Sequence, residues 1–206
     1  TRKESSAASD VYKRQIFTRT KRAAASVAEK LAQRGFNVGA VHGDMDQSAR
    51  ERSLTAFREG TVDILVATDV AARGIDVDDV THVINHQVPD DPMTFVHRIG
   101  RTGRAGHTGT AVTLVGYDEL SKWHIINDEL DLDQPEPPQW FSTSPELAAA
   151  LNIPEDVEES VGPPTKVLGA PRRSSSKHRS AADSARASRR TLTRTRTRST
   201  RQGGRR

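Results

Sequence analysis

The sequence predicts an α/β fold, an open parallel sheet covered by helices on both faces. Short, β-rich, largely apolar runs alternate with helix-like segments from Ile16 to about Leu130. Strands that alternate with helices pair in parallel through right-handed crossovers. The runs are also nearly continuous in apolar residues, as befits strands buried on both faces.

Each element has its own signal. The alternating stretch opens at Ile16 and Phe17 of "IFTRTK". In "TKRAAASVAEKLAQRG", Ala24, Val27, Ala28 and Leu31 recur at helical spacing, and Gly35 stands where a helix stops. A strand follows in "FNVGAV" (36–41), then a helix in "DQSARERSLTAFREG", with Leu54 and Phe57 inward and Gly60 as the stop. "DILVAT" (63–68), "THVINHQV" (81–88) and "GTAVTLV" (109–115) supply three more strands. "DDPMTFVHRIG" and "YDELSKWHIINDEL" supply two more helices.

Ligands of open α/β sheets bind at the carboxyl ends of the strands. That rule selects "HGDMDQSAR" after the second strand and "DVAARGIDV" after the third, and "HRIGRTGRAG" is expected on the same edge. The last segment concentrates cations on little bulk. Arginine presents a planar fork of donors suited to phosphate oxygens, and Arg101 and Arg104, three apart, project to one side of a helical or turn-like backbone. Gly100, Gly103 and Gly106 are expected to keep side chains from holding another surface away. Each residue alone has an ordinary structural reading: Asp69 and Asp76 as caps, Gln47 and Arg50 as first-turn helix residues, His42 and His97 as core histidines.

Taken together, "HGDMDQSAR" (42–50), "TDVAARGIDV" (68–77) and "HRIGRTGRAG" (97–106) resemble the second RecA-like domain of DEAD-box ATP-dependent RNA helicases of superfamily 2, of bacterial type. The resemblance covers about Ile16 to Leu130 and implies a RecA-like, P-loop-NTPase-like helicase C-terminal domain. His97, where related DExH and RecQ-like helicases usually carry Gln, favours the RNA branch. The resemblance implies that Arg101 and Arg104 are arginine fingers on the terminal phosphate of ATP. It implies that Asp76 contacts the ribose, with Gly74 permitting close approach, and that His97 and Arg98 couple the nucleotide state to a partner domain. Thr20, Gly43, Gln47, Arg50, Thr68 and Asp69 match the RNA-side motifs, whose contacts position a strand without reading its sequence.

The same resemblance implies partners. ATP and Mg2+ are cradled in this family by an N-terminal RecA-like domain carrying G-x-x-x-x-G-K-[ST], normally in cis, and no Gly of this chain is followed by Lys. "DELD" (128–131) satisfies D-E-x-D but lies in a helix-like acidic stretch. A chain opening on Thr is read as part of a longer helicase, inactive by itself. Lys13, Arg14 and Gln15 suit a buried strand poorly, so residues 1–15 are read as a non-family leader and the domain as 16–130. The alternatives are a non-enzymatic RNA-binding or annealing module and a regulatory domain acting in trans.

Charge divides the rest. Residues 1–122 hold 17 basic and 16 acidic residues, residues 123–165 hold ten acidic residues and no Lys or Arg, and residues 166–206 hold 14 basic residues against Asp183. Residues 131–165 are read as a Pro-containing acidic extension with a short helix at 145–151, and Trp140 and Phe141 as docking it to the domain or stacking on nucleic acid. Residues 166–206 are low in complexity and are expected to be a disordered electrostatic tether for RNA. The chain has no cysteine, hence no disulfide or thiolate metal site. No apolar run approaches the length that spans a bilayer, so no membrane partner and a cytoplasmic location are expected.

Overall fold

The computed structural model describes residues 12–72, 77, 80–104, 106–154 and 156–169. Five parallel strands lie in the order β2-β3-β1-β4-β5. They are β1 (Lys13–Thr18), β2 (Val38–Val41), β3 (Ile64–Thr68), β4 (Val80–Asn85) and β5 (Thr110–Thr113). The helices are α1 (Lys21–Gln33), α2 (Gln47–Arg58), α3 (Asp69–Ala72), α4 (Pro92–Ile99), α5 (Leu120–Leu130) and α6 (Pro145–Ala150), with a 3-10 turn at Tyr117–Glu119. The parallel α/β architecture is the one the alternating pattern predicts.

Period-two alternation sorts the strand side chains onto two faces. Phe17, Val41, Leu65, Ala67 and Val83 meet Leu54 and Phe57 of α2 and Ala71 and Ala72 of α3. Ile16, Val38, Ala40, Ile64 and Val66 meet Ala24, Ala28 and Ala32 of α1. The three alanines, four apart, let α1 lie close against the strands. Short side chains set the helix starts: Thr20 accepts from the Ala23 amide at 3.1 Å, Asp46 from Ala49 at 2.7 Å and Asp91 from Thr94 at 2.8 Å. Gly35 (φ +90°) and Gly60 (φ +75°) follow the ends of α1 and α2, in a backbone region that other side chains rarely adopt.

Several boundaries move. β1 starts at Lys13, so the domain does not begin at Ile16: Arg14 and Gln15 stand in register between Ile64 and Leu65 on one side and His82 and Val83 on the other. The charged ends escape burial at the amino end of the sheet. Lys13 Nζ donates to the Arg58 carbonyl at 3.0 Å, and the Arg14 guanidinium lies 5.5 Å from the Tyr12 ring. Gln15 has no such exit and is buried, its side-chain amide nitrogen unpartnered among the described residues. β5 is not buried on both faces either: it is the edge strand of the sheet, and Thr110 and Ala111 are exposed.

The extension is held differently from the expectation. Trp140 and Phe141 are exposed, and the buried indole is Trp123, whose ring nitrogen donates to the Gln134 carbonyl at 2.7 Å. Farther on, the chain returns to α1 and β2: Val161 N donates to Arg34 O, Thr165 N to Ala32 O and Leu168 N to Val38 O, at 2.8–2.9 Å. Leu168 lies in parallel against Gly39 and covers the outer edge of β2, which protects an otherwise open edge. Residues 166–169 therefore belong to this strap and not to the expected tail; the tail from Ala170 onward lies outside the described residues.

A buried donor without a partner costs about 1–3 kcal/mol. Gln15→Met, which keeps the length of the side chain and removes the amide, is expected to raise the urea midpoint of the chain. An unchanged or lowered midpoint would mean that the Gln15 amide is satisfied in solution.

Candidate functional site

Consider first what a helix between two parallel strands must do. It leaves the carboxyl end of one strand and returns antiparallel, so the residues that lead into the next strand lie at that strand's amino end. α4 obeys this. Past its end, Thr102 is bridged to Val80 at the start of β4, and its hydroxyl donates to the Val80 carbonyl. The expectation that all of "HRIGRTGRAG" lies on the carboxyl edge is therefore corrected in part: His97, Arg98 and Arg101 share a cleft with Asp69 at the end of β3, and the chain reaches the amino end of β4 at Thr102.

Arg98 is the hub of the face. Its side chain points toward the start of its helix, as long helical side chains do, and ends fully buried. Nε and Nη2 donate to the two carboxylate oxygens of Asp69 at 2.6 and 2.7 Å, and Nη1 donates to the Gln87 carbonyl at 2.9 Å and to Asn85 Oδ1 at 3.3 Å. The guanidinium also lies 5.4 Å from the centre of the Phe17 ring, within cation–π range. Arg98 and Asp69, expected on the nucleotide and RNA sides respectively, are thus partners of each other. Arg98 is buried in this pair, while the Asp69 side chain stays 31% exposed at the cleft.

Beside this pair opens a cleft of about 370 Å³ lined by Phe17, Asp69, Ala72, Thr94, His97, Arg98 and Arg101. His97 is exposed on α4, and Arg101, half-buried, follows one turn later. The paired Arg98 and Asp69 and a second guanidinium, that of Arg101, thus stand together along the cleft wall. Arg104 is exposed, and its Nε donates to the Gly100 carbonyl at 2.6 Å. The glycines of this segment have a backbone task beyond low bulk. Gly103 (φ +69°) and Gly106 (φ +81°) are left-handed, and a Cβ on Gly109 would stand 1.9 Å from the Thr102 hydroxyl. Gly74 and Asp76, the expected ribose contacts, lie outside the described residues.

The other candidates gather on the carboxyl edge of β2, β3 and β1, which are neighbours in the sheet. Lys21 at the start of α1 pairs with Asp44 after β2 at 2.7 Å, joining the two loops. Thr20 is exposed while capping α1, and Gly43 is exposed with open space where a Cβ would stand. Gln47 donates to Glu51 at 2.8 Å from the first turn of α2, and Arg50 is half-buried on the same helix. Thr68 ends β3 and is buried. His42 is buried at the base of this edge, with Nδ1 accepting from the Asp44 amide at 3.4 Å. Among the described residues no group of three or more His, Asp or Glu could hold a metal ion, and no helix is long and apolar enough to cross a membrane.

Sequence reasoning passed over four residues of this face: Arg19, Asn85, Gln87 and Glu119. Glu119 is buried and takes the Arg19 guanidinium on one oxygen and the Val88 amide on the other, while Gln87 accepts from the Arg19 amide at 3.0 Å. Only the position of Arg19, directly after the first strand, carried a signal.

The chain resembles known proteins along the same residues. Residues 7–106 match the family model described as "Helicase conserved C-terminal domain". The E. coli DEAD-box protein SrmB, crystallised with the regulator of ribonuclease activity A, superposes with a TM-score of 0.57 at 34% identity, over 66% of this chain and 84% of that one. The chain belongs to the DEAD-box family. A DEAD-box protein from the hyperthermophile Methanococcus jannaschii gives a TM-score of 0.55 at 41% identity, over 59% of this chain and 34% of that one. The DEAD-box ATP-dependent RNA helicase CshA of Geobacillus kaustophilus is 52% identical over 111 residues, 54% of this chain and 24% of that protein. The ATP-dependent RNA helicase DeaD of Mycobacterium tuberculosis is 55% identical over 105 residues, 51% of this chain and 19% of that protein. The chain thus spans a quarter or less of these two curated relatives. The family match begins ahead of Ile16, as does β1.

Two outcomes follow for the DEAD-box domain. Removing one member of a buried ion pair strands the other charge and costs about 3–5 kcal/mol. The Asp69 side chain is 31% exposed and Arg98 keeps Gln87 and Asn85 as acceptors. Asp69→Ala is therefore expected to lose less than that, about 2 kcal/mol in urea unfolding, and an unchanged midpoint would mean that Arg98 finds water or another acceptor. Burial also holds the His42 imidazole below its ordinary value of 6.5, with Asp44 pulling the other way. The fold thus favours neutral His42, so its contribution is present above the unfolded value and is lost as pH falls through the lower folded one. Urea midpoints should decline on acidification below about pH 6.5, less steeply for His42→Gln; equal slopes would exclude His42.

Proposed function

We propose that this chain is the arginine-bearing half of an ATP-dependent RNA helicase, which closes with an N-terminal RecA-like domain around ATP and couples hydrolysis to local separation of RNA duplexes. The observation that carries the reading is the cleft in which His97 and Arg101 stand beside the Arg98–Asp69 pair. Arg101 and Arg104 stabilise charge developing on the transferred phosphoryl group, which needs positioned cations more than covalent chemistry. Asp76 and Gly74 receive the ribose. Mg2+ is held by carboxylates of the other domain and neutralises phosphate charge there. His97, exposed at the mouth of the cleft, meets the partner domain, while Arg98 positions Asp69 and α3 from beneath.

On the carboxyl edge, Thr20, Gly43, Gln47, Arg50, Thr68 and the start of α3 at Asp69 form the RNA-side surface. Its exposed amides and short side chains suit phosphates and sugars, hence RNA of little sequence preference. A cytoplasmic location belongs to the same proposal.

Fusing the chain to the N-terminal domain of a DEAD-box relative and measuring RNA-stimulated ATP hydrolysis tests the reading. Arg101→Ala is expected to lower kcat by about a thousandfold or more with the urea midpoint unchanged. Undiminished kcat in this variant would overturn the arginine-finger assignment.

A further inference from the structure

Past the β5 edge lies a second depression, of about 470 Å³, that shares no lining residue with the Arg101 cleft. Val112 and Leu114 of the β5 segment line it on one side, and Trp140, Phe141, Leu147 and Leu151 of the extension on the other. Tyr117 stands at its rim, 76% exposed, and Phe141 is 77% exposed. Two aromatic rings left in water around one apolar groove mark a contact site, since isolated chains rarely leave such a patch uncovered.

Charge decides the occupant. Residues 117–160 contain twelve acidic side chains and, as their one cation, Lys122, which is already paired with Asp90. Asp118, Glu136 and Glu146 are exposed and directly flank the groove-lining Tyr117, Pro137 and Leu147. Phosphates of RNA would meet like charge here, as would an anionic membrane surface. A second copy, in a two-fold contact, would bring the same acidic rim against itself. The Arg-rich stretch after Pro171 has the opposite charge but, in Leu192, a single large apolar side chain to offer.

We propose that the groove between β5 and α6 docks a basic segment of a partner protein, one with two or more large apolar anchors flanked by Lys or Arg. The anchors fill the space between Leu114 and Leu147 and stack on Tyr117 and Phe141, and the flanking cations meet Asp118, Glu136 and Glu146. Docking there leaves the Arg101 cleft and the RNA-side edge open.

Fluorescence anisotropy of a labelled synthetic Leu/Arg amphipathic peptide on the full 206-residue chain tests this. Two control peptides carry Ser for each Leu, or Glu for each Arg. Affinity for the Leu/Arg peptide should fall about tenfold in Phe141→Ser and in the triple variant Asp118→Asn, Glu136→Gln, Glu146→Gln; all four side chains are exposed, so the fold is untouched. Both control peptides should bind at least tenfold more weakly. Equal binding of the Ser peptide would reduce the effect to bulk charge and overturn the proposal, as would unchanged affinity in Phe141→Ser. Oligouridine binding, or self-association in sedimentation, that Phe141→Ser abolished would assign the groove to RNA or to a second copy instead.

Discussion

One buried guanidinium organises the working face of this domain. Arg98 leaves α4, crosses the Phe17 ring and closes on both oxygens of Asp69, with Asn85 and Gln87 taking its remaining donors. A buried charge is tolerated only when paired and hydrogen-bonded, and this one is satisfied by residues from three separate places in the chain. The position of α4 relative to α3 and the end of β4 is thereby set, and with it the position of Arg101 one turn further on. The cleft depends on this pair, both members of which form part of its wall.

The antiparallel return of α4 explains why the arginines stand where they do. A segment feeding a parallel strand must arrive at the amino end of the sheet, so the cationic run reaches from the carboxyl edge at Arg98 down to Thr102 beside Val80. Its glycines serve that path, turning a helix end into a strand start through left-handed residues at Gly103 and Gly106. The candidates on the carboxyl edge of β1, β2 and β3 and the segment from Arg101 to Arg104 are thus held by different elements, and Asp69 belongs both to the start of α3 and to the wall of the Arg101 cleft.

The acidic extension is anchored at its two ends and exposed between them. Trp123 holds Gln134 at one end, and the strap from Val161 to Leu168 runs back along α1 and β2 at the other. Between these anchors, Trp140 and Phe141 face outward over an apolar groove with acids at its rim. The arginine-bearing cleft and the acid-rimmed apolar groove therefore share no lining residue.

The sequence by itself determined the parallel α/β class, the order of its elements and the motifs that mark the family, because these depend on local periodicity, caps and stop glycines. Leu54 and Phe57, Gly35 and Gly60, and the four strand runs after α1 were all legible for that reason. Tertiary structure alone decided the partnership of Arg98 with Asp69, 29 residues apart, the admission of Lys13 to Gln15 into a central strand, and the choice of Trp123 over Trp140 as the buried indole. Each of these turns on which surface a side chain meets after distant segments pack, and a side chain's chemical type does not carry that information along the chain.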